Sequence, residues 1–354
     1  MEVGMFFSDL RKRWILLIVI VVLILGVTPL YLSSPSSSFV TQGNLSSEDI
    51  TLDFEPRPSD EILNGKKVVR VGVYLLSLGN LDTTTGQYTV DFFLNFICET
   101  EACDPTKFDI MNATSKVEPD DQTDLNEPGE FYYRVRTSLQ TDLDLRKFPF
   151  DNHDLIIEIE DVNQTDDEYV YIVDETKSGI DPNVYVAGWD LEPYIEATTT
   201  SHMYSIYNES YSRARFVVHI SHPWFSSFMK GLFAAIVIVG VGMLSFLMNP
   251  AEAQDRIALT SGTLASAIFY HMTLTSSIPP VGYLTYADRF MILQYVFITA
   301  SLAVSVTLFM LLSAEKRGSD YRKLANHVHV ATRVSIPLLW VVSMTGLHYL
   351  TIGF

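Results

Sequence analysis

Apolar residues recur at every second position through one half of this chain and in long unbroken runs through the other. Val69, Val71, Val73 and Leu75 fall on one face of an extended segment. Tyr88, Val90, Phe92, Leu94 and Phe96 form a second such face, with Thr89, Asp91 and Asn95 opposite. Phe131, Tyr133 and Val135 alternate with Tyr132, Arg134 and Arg136. Leu155, Ile157 and Ile159 alternate with Glu158 and Glu160, and Ala214, Phe216, Val218 and Ile220 oppose Arg213, Arg215 and His219. Period-two alternation is the signature of half-buried strands. Turn signals at Thr85-Gly86, Glu127-Pro128-Gly129 and Asp181-Pro182 separate the runs. Many short strands over residues 33–220 predict a β-sandwich of the immunoglobulin-like kind.

Elsewhere the apolar positions are continuous. A hydrocarbon layer about 30 Å thick needs about 20 apolar residues in a helix, and 14–32, 228–248, 257–275, 290–312 and 334–354 supply such runs. The first follows Arg11-Lys12-Arg13, which places its start on the cytoplasmic side. Residues 1–32 therefore read as a signal peptide or an uncleaved signal anchor. Either way 33–220 is exported, and 221–354 is a four-helix membrane domain whose Lys316, Arg317, Arg322 and Lys323 lie inside.

Charge sharpens the division. Residues 33–220 hold 35 acidic and 13 basic side chains, a net of −22, whereas the rest of the chain nets +4. An acidic exported domain is a poor partner for nucleic acid, which needs a basic surface. No metal-ligand spacing, G-x-S-x-G elbow or Cys/His pair points to an enzyme. Cys98 and Cys103 are the only cysteines; in an oxidising compartment they suit a disulfide, and the small loop between them suits two free thiols as well. Asn44, Asn112, Asn163 and Asn208 open N-x-[ST] sequons on the exported side. No cofactor is expected. The run Asp166-Asp167-Glu168 offers oxygen ligands for Ca²⁺ modulation, although such a run is more often simply solvated.

The segment Leu145-Arg146-Lys147-Phe148-Pro149-Phe150-Asp151-Asn152-His153 resembles the central loop of pentameric ligand-gated ion channels. Other landmarks fall in family order: Gly72-Val73-Tyr74 and Tyr88-Thr89-Val90-Asp91-Phe92-Phe93-Leu94 early, Gly188-Trp189 late, and a Tyr-rich loop at 204–211. Four helices follow, with the linker Pro279-Pro280-Val281-Gly282-Tyr283-Leu284-Thr285. Thr141 and Leu155 stand where animal members carry the paired loop cysteines, as in the bacterial and archaeal branch. The resemblance covers about residues 65–354. This chain departs from it in three places. Ser221-His222-Pro223 replaces the arginine before the first bundle helix, 228–248 lacks the mid-helix proline, and Glu160-Asp161 replaces an aromatic after the central loop.

The resemblance implies a homopentamer: four identical partner subunits, membrane lipid, permeant cations and a small-molecule or proton agonist. The alternative is a membrane-anchored binding or adhesion receptor that does not conduct. Helix 257–275 carries Thr260, Ser261, Gly262, Thr263, Ser266, His271 and Thr273, too many polar groups to face lipid. Anchored on Pro279, the family register puts Asp255, Ala258, Gly262, Ala265, Phe269, Met272 and Ser276 on one stripe, lining a pore. A one-residue shift would bring Leu264 and Ile268 to the lumen instead, and small residues alone also serve helix packing. Asp255 would attract cations at the inner end. Tyr132, Tyr133, Glu160, Asp161, Tyr204, Tyr207 and Tyr211 are the ligand-binding candidates, their rings attractive to an organic cation. Asp82, Phe148, Pro149, Phe150, Asp151, His222, Pro279, Tyr283 and Arg289 are the gating-coupling candidates, with His222 and His271 as proton sensors.

Overall fold

The computed structural model describes residues 65–100, 103–122, 128–315 and 321–352; the run 14–32 lies outside them. The described chain divides into two compact units. The first is built of strands β1 (Lys67–Asp82), β2 (Gln87–Cys98), β3 (Phe108–Ile110), β4 (Asp120–Asp121), β5 (Glu130–Gln140), β6 (Asn152–Asp161), β7 (Tyr169–Val173), β8 (Gly179–Ile180), β9 (Asp190–Tyr204) and β10 (Glu209–Ser221). One sheet runs β4-β5-β2-β1-β7, with β8 also on β1; the other runs β3-β6-β10-β9. The pairs are antiparallel except β7 and β8, which run parallel to β1.

Alternation in the sequence becomes one core. Val69, Val71, Val73 and Leu75 of β1, Phe92, Leu94 and Phe96 of β2, and Leu155, Ile157, Ile159, Phe216 and Val218 of the other sheet pack into a single buried cluster. Burying a side chain of this size stabilises by roughly 1.5–3 kcal/mol, so a one-residue slip of any of these strands is strongly disfavoured. The β1–β2 turn closes on Gly86, whose φ of +70° suits glycine and whose missing Cβ leaves room for the Thr141 carbonyl. Cys98 and Cys103 are joined as a disulfide.

The second unit holds helices α1 (Trp224–Gly231), α2 (Phe233–Met243), α3 (Ala253–Thr275), α4 (Tyr286–Glu315) and α5 (Arg322–Thr351). α3, α4 and α5 are each long and apolar enough to span a membrane, and α1 with α2 makes a fourth span bent by 45°. The bend arises without a proline: it falls at Gly231-Leu232, where glycine ends the first segment. The last helix starts at Arg322, well before the apolar run, because its first turns are basic and polar. Leu145–Phe150 also belongs to this helical unit, a correction to the continuous range 33–220. The reason is apolar: Phe148 and Phe150 pack on the bundle core around Tyr286, Phe290 and Leu347.

Candidate functional site

A pocket of about 200 Å³ opens in the strand unit, lined by Asp109, Met111, Glu160, Asp161, Val162, Tyr204, Tyr207 and Tyr211. It brings together five of the seven ligand-binding candidates from the end of β6 and the β9–β10 hairpin. Tyr204 and Tyr211 meet edge to face at 5.6 Å, while Tyr207 is 68% exposed at the hairpin tip. Tyr132 and Tyr133 are not among its lining. Tyr133 is instead a core residue, wedged against Phe96 and Phe108, because inward positions of β5 alternate through it. Tyr132, on the opposite face, donates to Glu130 at 3.1 Å and accepts from Lys177 at 3.2 Å. Asp109, Met111 and Val162 were not singled out in the sequence; β3 reaches the pocket only through its pairing with β6.

The two acids of this pocket differ. Glu160 is buried but paired, accepting from Arg213 Nε at 3.0 Å and Nη2 at 2.9 Å, and Arg213 also holds Glu158 at 3.0 Å. The sequence carried this signal, since Glu158/Glu160 and Arg213/Arg215 occupy the outward faces of neighbouring strands. Asp161 is 2% exposed. Its Oδ1 accepts the backbone N–H groups of Asn163 and Gln164, each at 2.8 Å, and its Oδ2 has no partner among the described residues. Burial pushes its carboxyl up, against the lowering effect of those two N–H groups.

At the other end of β6 stands Asp151, 1% exposed. Its Oδ1 lies 2.9 Å from His222 Nδ1 and its Oδ2 lies 2.6 Å from His153 Nε2. Trp189 stacks on His222 with ring centres 3.6 Å apart and meets His153 at 5.2 Å. Burial alone would raise the Asp151 carboxyl, yet the two histidines hold it down to about 2. Arg215, a rival partner for this aspartate, is directed to Glu158 instead. Asp82 uses its carboxylate on its own turn, accepting from Thr84 N and Thr85 Oγ1. Asn112 Nδ2 is engaged by the carbonyls of Ile156 and Gln140, so this sequon asparagine is a structural bridge. Asp166 accepts from Ser201 Oγ, and no group of three or more His, Cys, Asp or Glu among the described residues is placed to hold a metal.

Within the helical unit the central loop is clamped to the linker after α3. Tyr283 Oη accepts the Leu145 N–H at 3.0 Å, and the Arg146 guanidinium sits 4.9 Å over the Tyr283 ring. Phe148 O accepts the Ala287 N–H at 3.0 Å, and Phe150 packs on Tyr286 at 5.7 Å. A Cβ on Gly231 would come within 2.8 Å of the Pro149 ring, so glycine lets the loop close on α1. Thr285 and Asp288 cap α4 reciprocally: Asp288 Oδ2 accepts the Thr285 N–H at 2.9 Å and Thr285 Oγ1 accepts the Asp288 N–H at 3.1 Å. Pro279 is half-buried at the start of the linker, and Arg289 follows the cap on α4.

α3 turns a sharply divided surface to its surroundings. Ala253, Arg256, Thr260, Thr263, Ala267 and Leu274 are buried against the bundle. Asp255, Ala258, Gly262, Ala265, Phe269, Met272 and Ser276 are all exposed in the single chain. Leu264 is half-buried on the bundle core. His271 lies off the open face, with Nδ1 at 2.9 Å from Tyr295 Oη and Nε2 at 3.1 Å from Asp288 Oδ1. Arg256 is fully buried, donating through Nη1 to His329 Nδ1 at 3.3 Å. Neither Arg256 nor His329 was singled out in the sequence.

No family model matches the chain. Pairwise likeness is more informative. The chain is 23% identical over 319 residues to a proton-gated ion channel of Gloeobacter violaceus, covering 84% of this chain and 87% of that one. It is 24% identical over 186 residues to a gamma-aminobutyric acid receptor subunit beta of Caenorhabditis elegans, covering 50% of this chain and 32% of the relative. It is 23% identical over 223 residues to the pH-sensitive chloride channel 2 of Anopheles gambiae, covering 61% and 36% respectively. These relatives are membrane channels, not enzymes. With a strand unit of two sheets followed by three apolar spans and a bent pair that can make a fourth, the chain is a membrane protein with a large extracellular domain, similar over most of its length to a pentameric ligand-gated ion channel.

Proposed function

We propose that the chain is one subunit of a homopentameric cation channel opened by a ligand, by protons, or by both. The observation that carries this is the open face of α3. A helix of 23 residues buries one stripe in its own bundle and leaves a second stripe bare from Asp255 to Ser276. Small residues lie at its inner end and Phe269 and Met272 at its outer half, 70% and 64% exposed. Five such faces around an axis make a water-filled path with an apolar constriction that gates by dewetting. A ring of Asp255 carboxylates concentrates cations at the inner mouth.

The ligand reading rests on the pocket of Tyr204, Tyr207 and Tyr211, whose ring faces attract an organic cation. The proton reading rests on Asp151 and His222, an ion pair only while the imidazole carries its second proton. Trp224, the first residue of α1, is separated from His222 by Pro223 alone. Acidification then strengthens an attraction at the last strand residues before the membrane helices.

Reversal potentials of reconstituted full-length protein in a salt gradient test the pore. Cation preference should weaken in Asp255→Asn by about tenfold in permeability ratio, the scale of a lost charge interaction of ~1.4 kcal/mol. Phe269→Ala should raise basal current. Unchanged selectivity in the first variant removes Asp255 from the filter; a silent second variant beside a leaky Leu264→Ala shifts the register by one residue.

A further inference from the structure

Two adjacent residues of α3 reach away from its bare face, and each ends on a group that the central loop touches. Tyr270 Oη donates to Lys230 O and Gly231 O, each at 3.0 Å. Those carbonyls close α1, and Leu232 beyond them (φ −128°, ψ −28°) is off helical geometry where the span bends by 45°. The last carbonyls of a helix need partners from outside it, and hydrocarbon offers no water to supply them. The phenol of α3 shares its one hydroxyl proton between two of them. Gly231 is also the residue on which Pro149 closes, its ring 2.8 Å from where a Cβ would stand.

His271 reaches in another direction. Its Nε2 lies 3.1 Å from Asp288 Oδ1, and its Nδ1 lies 2.9 Å from Tyr295 Oη. The other oxygen of Asp288 accepts the Thr285 N–H at 2.9 Å and the Thr285 hydroxyl at 2.8 Å, which fixes the carboxylate at the start of α4. Ala287, its chain neighbour, donates its N–H to Phe148 O at 3.0 Å. Consecutive loop residues, Phe148 and Pro149, thus stand at the far ends of two legs, with consecutive helix residues at the near ends. All of them lie in the helical unit. Neighbouring helix residues are about 100° apart around the axis, so two such legs resist rotation as well as displacement. Phe269 precedes them, about 150° from the middle of the pair, and is 70% exposed on the bare stripe.

We propose that Tyr270 and His271 are positioning residues that clamp α3 in the rotation presenting Phe269 to the open face, and that Phe148 and Pro149 of the central loop set this clamp. The proposal rests on the reading of the bare stripe as a pore lining, and it adds which side chains decide when the constriction forms. Both residues are half-buried, off the stripe itself. In the rival reading they only satisfy polar groups inside the bundle, and their loss costs stability without changing gating.

Tyr270→Phe removes one hydroxyl and keeps the ring. With that leg gone, α3 turns more easily out of the constricted position. In currents from the reconstituted full-length protein, the half-activating concentration of protons or propylammonium should therefore fall about tenfold, the scale of one lost hydrogen bond. A purely structural role would lower Tm and leave that concentration unchanged. Gly231→Ala strains the same leg from the loop side, so the two changes together should shift it by less than the sum of their separate shifts. Amide exchange of the full-length protein in detergent reads the clamp without any current. Residues 267–275 should exchange about tenfold faster in Tyr270→Phe and in His271→Phe, with the inner half of α3 unchanged. A silent membrane beside faster exchange keeps the clamp on α3 and removes the pore reading. An unshifted half-activating concentration in Tyr270→Phe, full additivity with Gly231→Ala, or exchange at the parent rate in both α3 variants overturns the proposal.

Discussion

Two aspartates bracket β6, and burial has opposite consequences for them. Asp151 precedes the strand and Asp161 ends it, and both are almost wholly removed from water. Asp151 has two histidines on its two oxygens and titrates at about 2. Asp161 has backbone N–H groups on one oxygen and no hydrogen-bond partner on the other among the described residues, and burial drives its carboxyl up. A buried charge with a full set of donors belongs to the structure that holds it. One strand thus has at its start an aspartate held by two histidines, one of them His222 two residues before α1, and at its end an aspartate held only by backbone N–H groups.

The most severe way to break this comparison is to remove each carboxylate. Asp151→Ala strands His153 and His222 beside each other and should cost about 3–5 kcal/mol, the scale for breaking a buried pair. Asp161→Asn should lie within about 1 kcal/mol of the parent, because it removes a buried charge whose second oxygen has no hydrogen-bond partner among the described residues and keeps an acceptor for the Asn163 and Gln164 N–H groups. Denaturation of the full-length protein in detergent checks both. Equal losses would mean that Asp161 has a hidden partner and that the contrast is wrong.

The pH dependences should carry opposite signs. Asp151 is depressed in the fold, so its stabilising share is complete above the unfolded range near ~4 and is lost as pH falls toward about 2. Asp161 is raised in the fold, so stability is lost as pH rises from ~4 through its folded value, and Asp161→Asn abolishes that loss. Unfolding midpoints across acid pH, parent against variant, read the two slopes separately. For gating, His222→Arg should fix the link in its charged form and flatten the acid response of the current. A full acid response in both His222→Arg and His222→Ala would leave His222 a bystander.

A smaller effect sharpens the picture at the surface. His219 has Nδ1 at 2.7 Å from Asp154 and Nε2 at 3.1 Å from Glu196, tying β10 to both neighbouring strands. Ionised carboxylates only accept, so both ring nitrogens must donate. Burial works to lower its titration, but the two carboxylates prevail and raise it. Its contribution is complete below the unfolded value near ~6.5 and fades as pH rises through the folded one. Both acids are exposed, so His219→Gln should cost no more than about 1 kcal/mol, only at neutral and acid pH, and less in high salt.

Much of this was legible in the sequence, for identifiable reasons. Strand alternation around Val69–Leu75 and Phe92–Phe96 reports burial directly, since the strand period is two and the core has one side. Anchoring on Pro279 named seven α3 residues because a helix propagates phase rigidly, and all seven are exposed in the single chain, as is Ile268 of the shifted register. Pairings across strands were harder to read. Tyr133 looked like a ligand ring until its inward position placed it on Phe96 and Phe108. Glu160 was named only as a ligand-binding candidate, although the outward Arg213 of β10 stands opposite it and pairs with it. The second histidine on Asp151, the Trp189 stack and the buried Arg256–His329 contact all join residues far apart in the chain. No local pattern encodes them.

The central claim is a proton- or ligand-opened cation path along the bare face of α3. Current through a planar bilayer holding the reconstituted full-length protein, in a potassium chloride gradient and stepped from neutral to mildly acid pH and then to propylammonium, tests it most directly. The account predicts an evoked current that reverses toward the potassium equilibrium potential, shifts toward zero in Asp255→Asn, and flattens against pH in His222→Arg. A membrane that stays silent to both stimuli, or a current that reverses at the chloride potential, would contradict it.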